Sequence, residues 1–318
     1  MVRNRASINR RSFLQLAGAA YGASAIAPGL AQRVDTRIHG NLPIAIGKVT
    51  WVGENETVDA VIESVAKLGM QVCQIGFERS SLEVVKPLRE ACTMHGVQVT
   101  SISEHNPGRR VFNFYEGPLT IGIIPASTRD VRIRALKMSA DIAVAADVPA
   151  IHTHCGFIPE DPNDPIYPQA VAAVKEVASY CKERGIYLLC ETGQETPITL
   201  LRLIDDVGTG NVFVNLDVAN LILYGKGNPV DAMDVVGTLV RGIHAKDGLF
   251  PTNPRELGRE TPIGQGKVDF LKLFEALKRV NYRGSMMIER EVGTEDERKR
   301  DVLQSKMLLQ QWMVEAYG

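Results

Sequence analysis

The chain has 318 residues, 45% hydrophobic and 23% charged, with 36 basic and 37 acidic residues and a net charge of −1. That balance leaves no basic face for nucleic acid or anionic lipid. Five cysteines (Cys73, Cys92, Cys155, Cys181 and Cys190) form no CxxC pair, and their odd number argues against a full disulfide framework.

In chain order, the first segment to set aside is N-terminal. Asn9-Arg10-Arg11-Ser12-Phe13-Leu14-Gln15 joins two arginines to two large apolar residues, and an Ala- and Gly-rich stretch runs from Leu16 to Ala27 before Pro28-Gly29-Leu30-Ala31. This resembles a twin-arginine export signal with cleavage after Ala31, implying a signal over 1–31 and a catalytic domain over 32–318. The implied location is the periplasm, with the twin-arginine translocase as a partner during export. An uncleaved signal acting as a tether is the alternative. The apolar stretch is too short and too interrupted by Gly to span a bilayer, so no membrane span is expected in the mature chain.

The remainder alternates strand and helix. Candidate strands are Ile44–Thr50, Val72–Phe77, Val97–Ser103, Ala150–His154, Tyr187–Glu191, Val212–Asp217, Arg241–Lys246 and Ser285–Glu289. Helical patterns fall between them at Thr57–Leu68, Leu82–His95, Thr128–Ala146, Pro168–Arg184, Ile198–Val207, Pro229–Leu239 and Phe270–Val280, with a last helix from about Asp296 to Ala316. Gly69, Gly96 and Gly185 close three of these helices, and Asp269 stands as an N-cap. Eight strands alternating with eight helices predict a single closed (β/α)8 barrel. No GxGxxG or Walker-type loop follows any strand, which removes the main signal for a nucleotide fold.

Two connections are longer than linkage requires, Glu104 to Ser127 and Asp247 to Val268. Both leave the carboxyl ends of their strands, where long loops serve as substrate lids. Phe112, Phe114, Tyr115 and Phe250 suit the cover of a pocket. The alternative use of these loops is a contact in a homo-oligomer.

Four consecutive strands each end in a metal-grade side chain: Glu191, Asp217, His244 and Glu289. In an α/β barrel, strand ends converge on one face. Three carboxylates and one imidazole suit a single divalent cation. A cation that chelates a carbonyl and its neighbouring hydroxyl acidifies the carbon between them and stabilises the enediolate formed on deprotonation. A carboxylate then moves the proton.

The motifs CET at Glu191, LDVAN at Asp217, HAKDG at His244 and IERE at Glu289 resemble the xylose-isomerase-like barrel superfamily, in its sugar phosphate isomerase/epimerase branch. Tagatose and psicose epimerases and type IV AP endonucleases are related to that branch. The resemblance implies one bound cation, with Mn2+ the expected ion and Mg2+, Co2+ or Zn2+ the alternatives. It also implies that Glu191 and Glu289 are the catalytic acid/base pair, while Asp217 and His244 serve as ligands alone. The epimerases usually place a substrate-binding His three residues after the metal Asp, where this chain has Asn220, which cannot titrate near neutral pH. The His-rich three-zinc cluster of the endonucleases is missing.

The function expected is a divalent-metal-dependent isomerase or epimerase acting on a sugar or keto-sugar. A lyase or dehydratase eliminating a group from a 3-keto-glycoside is the first alternative, and a non-catalytic sugar-binding protein the second. Further substrate-binding candidates are His154, Asn220, Lys246, Asp247 and Glu291. His154 lies nearer the carboxyl end of its strand than His152, which is expected to fill the barrel interior. Lys246 and Glu291 share the inward faces of His244 and Glu289. Asp247 is expected to orient His244 or a lid residue.

Overall fold

The computed structural model describes residues 42–318; the twin-arginine segment lies outside the described residues. Eight parallel strands close into a barrel. They are β1 (Ala45–Val52), β2 (Val72–Phe77), β3 (Gln98–Ser103), β4 (Ala150–His154), β5 (Tyr187–Glu191), β6 (Val212–Asp217), β7 (Val240–Ala245) and, after a hairpin, β10 (Ser285–Ile288). Each pairs with its sequence neighbour, and β1 closes the ring against β10. The expected (β/α)8 barrel is the fold observed. Every residue of β2, β5, β6 and β10 is buried, because helices cover the outside and side chains fill the inside. That double burial makes the runs continuously apolar rather than alternating.

The main helices fall where the apolar periodicity puts them: Val58–Lys67, Val85–His95, Arg129–Ala145, Tyr167–Glu183, Pro197–Val207, Pro229–Val236, Phe270–Arg279 and Glu295–Tyr317. The segment expected as one helix from Leu82 begins with a 3-10 turn, Leu82–Val84. Pro87, in the first turn of the α-helix that follows, has no N–H to carry an α-helical ladder back across that turn. Gly69, Gly96 and Gly185 all take positive φ at helix ends, and Asp269 accepts the backbone N–H of Lys272 at 3.1 Å. None of the described helices is long and apolar enough to cross a membrane.

The two long connections hold structure of their own. The first contains the short helix Gly117–Thr120, and the second folds into the antiparallel hairpin of β8 (Asp247–Leu249) and β9 (Arg259–Thr261). A further short helix, Asn220–Leu223, follows β6 directly.

Alternate residues of each strand point inward and stack in layers. Near the amino ends the filling is apolar, with Ala45, Val72 and Met287 in one cluster and Ala150, Tyr187, Leu189 and Phe213 in another. Above it lies a polar layer of Gln74, Ser101, His152 and Asn215, all 1% exposed or less. At the carboxyl ends stand Trp51, Glu191, Asp217 and His244. Gly76 belongs to this top layer, and a Cβ there would lie 2.0 Å from the Trp51 ring. The missing side chain is what lets the indole lie over the neighbouring strand β2.

Candidate metal centre and pocket

Glu191, Asp217, His244 and Glu289 converge at the carboxyl ends of β5, β6, β7 and β10. One ligand-grade atom from each lies within 4.8 Å of the other three. His244 Nδ1 is the hub: it stands 3.0 Å from Glu191 Oε1, 3.3 Å from Glu289 Oε2 and 3.8 Å from Asp217 Oδ2. The other ring nitrogen, Nε2, is 2.5 Å from Gln74 Oε1, and Gln74 Nε2 in turn donates to Asn215 Oδ1 at 3.0 Å. An amide oxygen only accepts, so Nε2 carries a proton and donates it. Nδ1 is therefore the nitrogen that faces the three carboxylates, with a proton in the imidazolium and a lone pair in the neutral ring.

Asp217 is divided in the same way. Its Oδ1 accepts the backbone N–H groups of Ala219 at 2.9 Å and Asn220 at 2.8 Å, at the start of the short helix. Its Oδ2 is buried without a hydrogen bond, as is His244 Nδ1. Buried polar atoms are seldom left unpaired. Here two of them face one point among oxygens, so the donor set fits a divalent cation held by carboxylate oxygens and one imidazole.

The electrostatics follow from packing charge in a dry place. Burial opposes the His244 imidazolium, yet Glu191 and Glu289 outweigh it and hold that group well above its ordinary pKa. Burial likewise raises the two glutamates, but His154 and His244 pull Glu191 below the usual carboxylate range, and Lys246 and His244 do so for Glu289. At Asp217 burial prevails over Lys246 and His244 and pushes the carboxyl up to about 6. Burial drives His152 down to about 3, a neutral ring at physiological pH.

A cavity of about 480 Å³ opens above these residues. Glu191 and Glu289 form its base, and His154, Asn220, Lys246 and Glu291, the expected substrate-binding candidates, are among the residues that line it. His154 Nε2 is 3.6 Å from Glu191 Oε1, and the Phe112 ring meets the imidazole edge-on. Lys246 Nζ lies 3.1 Å from Glu289 Oε2 and is hydrogen-bonded to Glu291 Oε2. Asp217 and Glu260 each stand 3.9 Å from it. Four carboxylates around one ammonium leave little positive potential for an anionic substrate group.

Asp247 does not line the cavity. Its two oxygens accept the backbone N–H groups of Gly248, Gly264, Gly266 and Val268. The expectation of substrate contact is corrected to the other role considered, because a carboxylate holding four amides has no lone pair free for a sugar. It fastens the β8–β9 hairpin, and Glu260 on β9 pairs with Arg290 to dock that hairpin beside β10.

Three contributors were not singled out from sequence. His105, just past β3, lines the cavity and stacks on Trp51 with ring centroids 4.5 Å apart. Gln74, itself held by Asn215, holds the His244 imidazole from below. A signal for the last two was present, since each is a lone amide on the inward parity of an otherwise apolar strand.

A family model described as xylose isomerase-like TIM barrel matches residues 62–311. A xylose isomerase domain protein from Planctomyces limnophilus is 30% identical, with a TM-score of 0.79 over 86% of this chain and 99% of its own. The 3-keto-D-glucoside 4-epimerase YcjR from E. coli superposes with a TM-score of 0.62 at 15% identity, over 84% of this chain and 99% of its own. That is a likeness of fold alone. The putative L-ribulose-5-phosphate 3-epimerase SgbU of Escherichia coli strain K12 is 32% identical over 102 residues, 31% of this chain and 35% of that protein. The chain spans less than two thirds of the length of the curated relatives it matches.

Proposed function

Given that the chain belongs to the xylose isomerase-like TIM barrel family, we propose that it is a divalent-metal-dependent epimerase or isomerase of a sugar or keto-sugar. The observation that carries this reading is the pair of unpartnered buried atoms, Asp217 Oδ2 and His244 Nδ1, facing Glu191 and Glu289 at the base of a sugar-sized cavity. Glu191, Asp217, His244 and Glu289 would hold the ion. When bound, a divalent cation acidifies the C–H between a chelated carbonyl and its neighbouring hydroxyl.

The chain's own groups then move the proton. One of Glu191 and Glu289 takes it from carbon, and return by the other on the opposite face inverts the centre. Their pKa values, lowered by His154, His244 and Lys246, keep both ionised at rest, so one accepts the carbon's proton and the other takes up a proton from solvent before delivering it to the opposite face. Asn220 and His154 offer hydrogen bonds to sugar hydroxyls. Lys246 neutralises charge beside Glu289, and the Asp247-fastened lid limits water at the reacting carbon.

Elimination is the second reading, because the same deprotonated carbon expels a leaving group placed β to the carbonyl. The apolar outer wall of the cavity, with Phe112, Leu223 and Leu257, favours it by offering room for an aglycone. The segment Asn9–Gln15 supports a periplasmic location for either activity.

The deciding experiment incubates metal-loaded protein in heavy water with a panel of keto-sugars and 3-keto-glycosides. Deuterium at a sugar carbon with an inverted or isomerised product supports the main reading, and an unsaturated product supports elimination. A bound sugar that exchanges no proton would reduce the protein to a binder.

A further inference from the structure

His152 carries more than its place in the barrel filling requires. Its side chain is fully buried on β4, with Nδ1 2.8 Å from Ser101 Oγ. Its Nε2 has no hydrogen-bond partner and stands 3.9 Å from Glu191 Oε2, too far for a hydrogen bond. The ring meets that of His244 edge to face, with centroids 5.4 Å apart. Ligand-grade atoms of His152, Glu191 and His244 lie within 4.8 Å of one another, a grouping that excludes Asp217 and Glu289.

The second partners are informative. An imidazole that binds a metal nearly always donates its other N–H to a fixed acceptor, which sets the tautomer. His244 does this with Gln74, and Ser101 offers His152 the same arrangement. When Ser101 Oγ accepts from Nδ1–H, a lone pair is left at Nε2, 3.9 Å from Glu191 Oε2. A buried imidazole with an unpaired nitrogen is costly as mere filling, and an apolar side chain would occupy the same layer at lower cost.

We propose that His152, Glu191 and His244 form a second cation position, one layer deeper in the barrel than the position of Glu191, Asp217, His244 and Glu289. His244 Nδ1 has a single lone pair, so the two positions are alternatives for one ion rather than halves of a two-metal centre. Atoms bound to one ion at about 2.0–2.2 Å each lie at most about 4.4 Å apart, so closure by a few tenths of an ångström is needed. Glu191 is common to both positions and serves as the pivot. The upper position, rich in oxygen, suits Mn2+ and Mg2+; the lower, with two imidazoles and one carboxylate, suits Zn2+ and Co2+. In the lower position the ion stands further from the cavity, so a borderline metal would bind there while supporting turnover poorly.

This inference rests on the metal reading of the site, and the test separates the two. Chelator-stripped full-length protein is titrated with Mn2+ and with Zn2+ by calorimetry, as wild type, His152→Gln and Asp217→Asn. His152→Gln should weaken Zn2+ by roughly tenfold or more and leave Mn2+ within about threefold, and Asp217→Asn should do the reverse. Pulsed EPR on Cu2+-loaded wild type, which depends on no variant folding, should count two imidazole nitrogens at the ion. Mn2+ binding with Zn2+ affinity indifferent to His152, or a single coordinated imidazole, would overturn the second position and leave the first intact. Failure of wild type to bind any of these cations would remove the metal reading itself, and this inference with it.

Discussion

Gln74 and His244, on strands β2 and β7, are joined across the barrel interior by a 2.5 Å hydrogen bond from His244 Nε2 to Gln74 Oε1. The bond fixes which imidazole nitrogen faces the carboxylates, and Asn215 fixes the amide that makes it. Gln74→Leu keeps the side-chain size but removes the acceptor. Divalent-cation affinity should fall about 10–100-fold, the usual cost of losing such a partner. Calorimetry on the stripped protein reads this, and unchanged affinity would show that the imidazole needs no such anchor.

Glu191→Gln and Glu289→Gln preserve shape and one coordinating oxygen but cannot accept a proton. Each should lower turnover by roughly a hundredfold or more, within the 10²–10⁴ that general acid–base catalysis contributes. Metal occupancy should fall less than in Asp217→Ala. Proton exchange in heavy water then separates the readings: an epimerase retains exchange at the face served by the intact glutamate, whereas a lyase needs only one glutamate for its first step. Near-normal turnover in both variants with metal bound would move the base elsewhere, to His154 first.

The Trp51 indole lies over the neighbouring strand because Gly76 has no side chain, and His105 stacks on the indole. Gly76→Ala places a methyl within 2.0 Å of that ring. The strand must shift or the indole must leave, at about 1–3 kcal/mol, the usual range for overpacking a filled core. The expected results are a lower Tm and a changed tryptophan emission spectrum. A variant with unaltered emission and stability would mean that the indole has other room.

Glu195 is 2% exposed, and burial pushes its carboxyl up to about 8 from an ordinary 4.5. Between those values the native state keeps a proton that the unfolded chain has released, so stability falls as pH rises through this window and levels off above it. Glu195→Gln stays neutral throughout. The variant should resist denaturant better than wild type at pH 8, by on the order of 1–3 kcal/mol, with the difference closing toward pH 5. Parallel stability curves for the two proteins would show that Glu195 is ionised in the native state.

Fusion of residues 1–36 to a reporter should deliver it to the periplasm by the folded-protein route. Replacing Arg10 and Arg11 together by Lys should block delivery, because the receptor reads the arginine pair. Continued export of the double variant would assign the segment to general secretion or to anchoring.

The barrel was legible because each strand run is buried on both faces and each helix has one apolar face, patterns fixed by local sequence. The four ligand-grade residues were legible for a related reason: a charged side chain at the end of an apolar run has few places to go except the common mouth of the barrel. Lys246 and Glu291, two residues past His244 and Glu289, reach the cavity by parity, whereas Asn220, on the short helix after β6, was legible only through the family resemblance. Asp247, one residue past Lys246, faces the other way and is taken up by amides of the hairpin that follows. That outcome depended on how residues 248–268 folded back, which no local pattern specifies. Gln74, Ser101 and Trp51 gain their roles only from residues distant in sequence, His244, His152 and Gly76. Such partnerships come from barrel closure, which sets β2 near β7 and turns isolated polar residues in apolar strands into one connected layer.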